Sequence, residues 1–346
     1  MSLLTAVANV YGSDIGGVFA LVLTIGAYVA QLSAAWLVES RLAGGRGRDA
    51  VFFPRFLHVV AVFGVIAWLC GDVFRPMGYI GIVLLISALE VSRNMSLIAP
   101  QPRRDTVAAA LLGVAALVDF IAASEVVIWV VVPILVFATV ELRAVGMSRT
   151  GPSVPRSSTV WVISETAVNG LVQPIVVSAV LGVLGGSAAT GFRLTVNVAN
   201  LFSPVLSFVR IRLLSAASRT DVVFSVIAFF AIAPVVLGGD VLGFWSLVFR
   251  EGWVGVSFAA LGAAVTWKIV SLVSTLPFAS LRRAGHVRMV FALRAVSSLI
   301  FSVSSLVAVK AFGSVGAVLC AFVVAEIATA LMYWVFAARF AQPASL

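Results

Sequence analysis

VRMVFALRAVSSLIFSVSSLVAVKAFGSVGAVLCAFVVAEIATALMYWVFAA, residues 287–338, is two apolar runs separated by a short turn at Gly313. The runs cover 287–309 and 313–338. Wound as helix at about 1.5 Å per residue, each is longer than the ~30 Å of hydrocarbon in a bilayer. They are too long for barrel strands, and their apolar residues do not alternate. Two charges, Arg294 and Glu326, lie well inside them. The pattern is that of paired membrane-spanning helices carrying polar groups inward.

Outward from this pair, the same reading applies along the chain. Apolar stretches of spanning length cover 15–38, 56–74, 76–92, 106–123, 125–142, 159–184, 190–213, 221–239 and 252–277, which with the first two makes eleven. The 346-residue chain is 62% hydrophobic and 11% charged, with mean hydropathy +1.14. Soluble domains are about 45–50% apolar and about 25% charged. That excludes a soluble enzyme, a disordered chain and a disulfide scaffold, and leaves an all-α polytopic membrane protein. Cys70 and Cys320 both fall in apolar runs and read as buried small hydrophobes. The net charge of +9 is dispersed over short loops, so it is no nucleic-acid signal. Residues 1–12 carry no basic start and no cleavage site for a signal peptide.

The basic residues set the orientation, because positively charged loops stay in the cytoplasm. Alternate loops hold Arg41, Arg46, Arg48 and Arg55, then Arg93, Arg103 and Arg104, then Arg143, Arg149 and Arg156, then Arg210, Arg212 and Arg219, then Arg282, Arg283 and Arg288, and finally Arg339. The opposite side holds Arg75, Arg193, Arg250 and Lys310. This asymmetry supports eleven crossings with the C-terminus inside and Met1 outside. Residues 1–12 are about half a span, so the expected plan is twelve helices with a shortened first one.

GSDIGGV at 12–18 resembles GSAATGF at 186–192, an offset of 174 residues, and the basic pairs Arg103-Arg104 and Arg282-Arg283 are offset similarly. The expected organisation is an N-terminal helical lobe over 1–147, a linker over 148–158 rich in Ser, Gly and Pro, and a C-terminal helical lobe over 159–340. Gly12–Gly16 and Gly182–Gly186 have the spacing that permits close helix approach. Pro133, Pro174, Pro204, Pro234 and Pro277 mark expected kinks.

No enzyme motif is present. There is no Gly-rich loop ending in Lys-Ser or Lys-Thr for nucleotide phosphates, and no cofactor motif. His58 and His286 have no helical metal-ligand partner in the sequence. The informative residues are charges within spans, since a charge in hydrocarbon costs about 2.5–3.5 kcal/mol on insertion scales. Lys268 and Arg294 lie inside spans, and Arg193 opens one from the outside. These three are the expected cationic lining of a central cavity, holding a phosphorylated headgroup. Asn169, Gln173, Asn197 and Asn200 add amides suited to sugar hydroxyls. Glu165, Glu326 and Asp119 are the candidate coupling carboxylates. The alternative reading pairs Lys268 with Glu326 or Glu165 as a structural ion pair, and the amides as interhelical glue.

LRRAGHVRMVFALRAVSSLIFSVSSLVAVKAFGSVGAVLCAFVVAEIATALMYWVFAAR (281–339) resembles the last two helices of polysaccharide flippases of the MOP superfamily. The carriers are its basic inner loop and Phe312-Gly313-Ser314-Val315-Gly316-Ala317 opening the final helix. GGSAATGFRLTVNVANLFSPVLSFVRIRLL (185–214) is similar to the opening of that family's second lobe, and YGSDIGGVFAL (11–21) to the turn after its first helix. The resemblance covers about a third of the chain. It implies two six-helix lobes around a cavity. It also implies flipping of an undecaprenyl-diphosphate-linked oligosaccharide across the bacterial inner membrane for surface polysaccharide assembly. Polysaccharide polymerase and glycosyltransferases would be partners. No catalytic set transfers with it. An ion-coupled drug exporter of the same superfamily and a non-transporting membrane scaffold remain open alternatives.

Overall fold

The computed structural model describes residues 2–36, 54–98, 102–122, 124–144, 156–203, 205–206, 219–284 and 286–340. Every regular element among them is helical. The contacts divide the chain into two units, Met1–Pro174 and Ile175–Leu346.

The first unit contains α1 (Ser2–Tyr11), α2 (Ser13–Ala34), α3 (Pro54–Leu69), α4 (Arg75–Ile98), α5 (Pro102–Ile121), α6 (Val132–Ala144) and α7 (Arg156–Gly170). The division falls in the first turn of α8 (Val172–Leu184). The second unit continues with α9 (Gly186–Ala199), α10 (Arg219–Val241), α11 (Phe244–Phe249), α12 (Phe258–Arg283), α13 (Val287–Phe312) and α14 (Val315–Phe340). Each expected span therefore begins on, or overlaps, a helix. Among the described residues seven helical stretches are long and apolar enough to cross a membrane unaided. An eighth is gained if Phe229–Val241 and Phe244–Trp253, bent by 69°, count as one. The helix over Phe56–Asp72 is apolar but shorter. α5 carries Arg103, Arg104, Asp105 and Asp119, which dilute its apolar length. The second half of the expected span 190–213 lies largely outside the described residues, as do Pro204, Arg41, Arg46, Arg48, Arg149, Arg210 and Arg212.

The sequence repeat has a structural counterpart with a slightly different register. α2 opens after Gly12 at φ 87° and ψ 160°, and α9 opens after Gly185 at φ 91° and ψ 175°. These backbone states lie where only glycine is comfortable. Each glycine carbonyl accepts the first helical bond, from Gly16 at 3.1 Å and from Ala189 at 3.2 Å. The equivalence is thus Gly12 with Gly185, one residue earlier than the sequence match to Gly186. Helix contacts repeat as well. In the first unit α4 packs against α2, α3 and α6, and α5 packs against α6. In the second, α12 packs against α9, α10 and α14, and α13 packs against α14.

The sequence boundary at 148–158 differs from the contact division because α7 packs on α2, where Gly170 leaves room for the ring of Tyr28. Most of that linker lies outside the described residues; 156–158 open α7. Gly12 and Gly182, the first members of the two GxxxG pairs, are not sites of close approach. A Cβ at Gly182 would meet nothing within 4 Å, and Gly12 precedes its helix. The tight crossing is between α3 and α4, where a Cβ on Gly81 would come within 2.1 Å of the Trp68 nitrogen. Pro133 does follow a backbone irregularity, a π-helical turn over Val127–Val131. The sharpest break is instead at Gly243, left-handed at φ 71°.

The helices are apolar on their outer as well as their inner faces. α13 buries Val290, Leu293, Phe301 and Val309, while Leu299 (63%), Val303 and Val307 stand exposed. Hydrocarbon solvates the latter group, so an apolar run does not report burial here. For that reason Cys70 and Cys320, expected to be buried, are free thiols on the exposed surface.

Candidate functional site

The most unusual chemistry in the second unit is built on α12. Its N-cap Ser257 accepts a 3.1 Å hydrogen bond from the Ala260 nitrogen, satisfying a free donor of the first turn. From there Leu261, Ala264, Val265, Lys268 and Leu272 recur at helical spacing on a buried stripe, and α12 packs against α14. Lys268 is a charged member of an otherwise apolar stripe and is only 8% exposed. It lies ten residues from the start of α12, about 15 Å along a helix of spanning length.

An aromatic floor supports it. Trp267 meets Phe322 at 4.9 Å between ring centroids, and Phe322 also meets Phe301 at 5.4 Å and Phe192 at 5.9 Å, all edge-on. The Lys268 Nζ sits 4.0 Å from the Trp267 ring centroid, a cation–π contact. Trp267 faces the carboxylate of Glu326 as well, with Nε1 donating to Oε2 across a long 3.4 Å. Ser274, two turns further along α12, donates its hydroxyl to Oε1 of Glu326 at 2.5 Å. Glu326 is one turn beyond Phe322 on α14 and is buried.

Arg193 on α9 completes the group. It follows Phe192, which fixes that part of α9 on the aromatic floor. Lys268 is within electrostatic reach of both Glu326 and Arg193. Among the described residues Lys268 and Glu326 form no direct salt bridge. The buried Nε of Arg193 has no hydrogen-bond partner among the described residues. Two cations and one carboxylate thus share an apolar bundle interior, with an excess of one positive charge. An anion is the ligand such a site suits.

The other expected site residues are distributed differently from the sequence reading. Arg294 does not join Lys268. It lies on α13 with its guanidinium 4.8 Å from the Phe278 ring, ten residues, or about 15 Å, further along α12. Phe278 also carries Arg282 at 4.9 Å and meets Tyr333 edge-on. Lys268 and Arg294 thus lie over different rings, Trp267 and Phe278, while Arg193 is the cation in electrostatic reach of Lys268. Arg193 in turn is half-buried on α9. Asn197 and Asn200 lie one and two turns beyond Arg193 on α9, both half-buried, and Asn200 accepts from Ser203 at 3.4 Å.

Asn169, Gln173, Glu165 and Asp119 belong to helices of the first unit. Asn169 is exposed, Gln173 half-buried, Glu165 and Asp119 buried. That unit has polar clusters which the sequence reading missed. Arg143, ending α6, reaches Asp105 of α5 at 3.7 Å, and His58 contacts Glu141 at 2.8 Å. Elsewhere in the unit, Trp129 donates to the Tyr11 hydroxyl at 2.8 Å, with Arg75 stacked on the Tyr11 ring at 5.2 Å. The basic residue at the end of α6 opposite an acid at the start of α5 was the available signal for the first of these. Among the described residues no group of three His, Cys, Asp or Glu could hold a metal.

No family model matches this sequence, and no curated protein matches it. Solved structures do. A multidrug resistance MATE family transporter of the MOP superfamily in its outward-facing conformation is similar over 98% of this chain and 92% of its own, at TM-score 0.58 and 13% identity. The inward-facing conformation of such a transporter is similar over 98% and 90%, at 0.56 and 12%. A MATE protein in complex with MaD3S is similar over 98% and 88%, at 0.57 and 14%. The helix order and the two repeated bundles agree with that likeness. In fold, this chain is a multi-pass membrane protein built on the plan of the MATE transporters of the MOP superfamily.

Proposed function

We infer that the protein is a membrane transporter that moves a lipid-linked oligosaccharide, carried on undecaprenyl diphosphate, across the bacterial inner membrane for surface polysaccharide assembly. It is not an enzyme on this reading. The observation that carries it is the excess positive charge at Arg193, Lys268 and Glu326 within an apolar bundle. A diphosphate must shed water to cross a bilayer, and buried cations offset that loss. The fold supports alternating access, in which an inner and an outer opening exchange around a site near mid-membrane. Polymerase and glycosyltransferases acting on the same glycan are the expected partners, with the C-terminus in the cytoplasm.

Multidrug resistance is named for two of the structural neighbours, and drug export is the second reading for this chain. It would draw on the buried acids Asp119 and Glu165 of the first unit, which suit a cationic cargo. Deleting the gene separates the two. The flippase reading expects loss of surface glycan and a build-up of lipid-linked precursor, restored by the wild-type gene and not by Lys268→Ala. Intact surface glycan together with a new drug sensitivity would overturn it in favour of export.

A further inference from the structure

One end of each of α12, α13 and α14 meets in a small core of Phe278, Leu281, Val290, Leu293, Tyr333 and Ala337. The arginine asymmetry assigns this end to the cytoplasm. The turn between α12 and α13 is pinned to it. The His286 backbone nitrogen donates to the Leu281 carbonyl at 3.1 Å, and its ring Nε2 reaches the Phe340 carbonyl at 3.1 Å. Two arginines share one ring of this core. Arg282 of α12 holds its guanidinium carbon 4.9 Å from the centre of Phe278, and Arg294 of α13 holds its own at 4.8 Å. Both are half-buried. Such a ring contact acts through the charge and engages none of the guanidinium N–H donors.

Depth and charge define what this pair can meet. Arg294 is seven residues into α13, about 10 Å along the axis, which puts its Cα just inside the hydrocarbon and its long stem within reach of the headgroups. Exposed Trp334, next to Tyr333 on α14, is of the residue type that gathers at the headgroup level. Arg288 and Arg339 stand exposed at the same end. The sequence from Gly252 to Leu346 has one acid, Glu326, which lies two turns from Tyr333 along α14. The local charge is therefore strongly positive. Beyond it, Ala292, Val296, Leu299 and Val303 follow Arg288 at helical spacing as an exposed apolar stripe on α13. A basic end that continues into such a stripe fits a molecule with an anionic head and hydrocarbon chains.

We propose that Arg282 and Arg294 bind the phosphate of an anionic phospholipid of the inner leaflet, with Arg288 at the margin and the lipid chains along the exposed stripe of α13. The planar donors of arginine match two oxygens of a phosphodiester, which a point charge does not. Basic clusters between spanning helices at the cytoplasmic face are where such headgroups dock. A free phosphate would meet the same cations but leave the stripe unused. A headgroup shared by the two arginines bridges α12 and α13. The site is separate from the one at Lys268, which lies ten residues, or about 15 Å, from Phe278 along α12. It does not depend on which cargo the protein moves.

The test uses the full-length protein in nanodiscs of equal phosphatidylglycerol and phosphatidylcholine, with the lipids that stay on the released protein counted by native mass spectrometry. Each arginine beside an anionic headgroup contributes about fivefold in affinity. The expected result is phosphatidylglycerol retained over phosphatidylcholine by at least about tenfold, and that ratio lowered about tenfold or more in Arg282→Gln/Arg294→Gln. Lys310→Gln, which removes a charge from the other end of α13, should leave the ratio unchanged. Should the double variant fold poorly, photoactivatable phosphatidylglycerol reacted with the wild-type protein should label residues within 278–299. Equal retention of the two lipids overturns the proposal, as does a preference that the double variant keeps or labelling confined to other segments. A ratio that falls as far in Lys310→Gln means that net charge alone attracts the lipid, and overturns the site. Phosphatidylglycerol displaced by inorganic phosphate assigns a soluble anion and overturns the lipid as ligand.

Discussion

Lys268→Met is the perturbation that best separates a ligand-binding cation from a structural one. Methionine has nearly the volume of lysine, so the buried stripe of α12 stays filled and no cavity is added. What changes is one charge. An anion about 4 Å from the ammonium, at the effective dielectric of about 20 that suits protein sites, is held by about 4 kcal/mol. Rearrangement of Arg193 would recover part of this, so a loss of about 2–4 kcal/mol is expected, about 30- to 1000-fold in affinity. Stability should respond far less. Lys268 makes no salt bridge among the described residues, and removing a charge from a helix centre relieves an insertion cost of about 2.5–3.5 kcal/mol. A structural pair behaves in the opposite way, since breaking one costs about 3–5 kcal/mol. For a unit of this size that is about 6–20 °C in melting temperature. The assay is surface glycan on cells carrying the variant, with intrinsic-fluorescence melting of the purified protein beside it. Lost export with melting within ~3 °C of wild type is the expected outcome. The reasoning fails if export is normal. It fails equally if melting drops by ~10 °C and Lys268→Met/Glu326→Gln restores it.

Three further outcomes follow from the packing and the charge pattern. Gly81→Ala must drive α3 and α4 apart, because its Cβ would lie 2.1 Å from the Trp68 nitrogen and 2.7 Å from the Gly64 carbonyl oxygen. Overpacking against backbone costs about 1–3 kcal/mol or more, and wild-type melting would show that the crossing is loose. Trp253→Phe deletes the 2.9 Å hydrogen bond to Asp240 that ties the bent segment after α10, at a cost of about 1–3 kcal/mol. Limited proteolysis should then cut between 241 and 257 sooner, and an unchanged cleavage rate would mean other contacts hold the bend. Single cysteines at Arg103 and Arg282, placed in a background with the exposed Cys70 and Cys320 replaced by serine, should react only with reagent admitted to the cytoplasm. Labelling of the two from opposite faces would contradict the arginine count.

The membrane class and the helix order were determined by the sequence alone, for a simple reason. Spanning helices satisfy their backbone internally and advertise themselves as long apolar runs, so 287–309 and 313–338 reappear almost unchanged as α13 and α14. The half-chain repeat was legible through its glycines, because a positive φ before α2 and before α9 demands the same residue twice. Lys268 stood out because a buried charge is costly wherever it points. What surrounds it was not legible. Trp267, Ser274, Glu326 and Arg193 come together from three helices, and an apolar helix with two apolar faces gives no sign of which one looks inward. The same ambiguity put Cys70 and Cys320 in the interior. It also hid Gly81, whose need for space exists only where α3 crosses α4. Helix rotation and crossing are fixed by side-chain packing between segments far apart in sequence, and on that packing the local pattern of residues is silent.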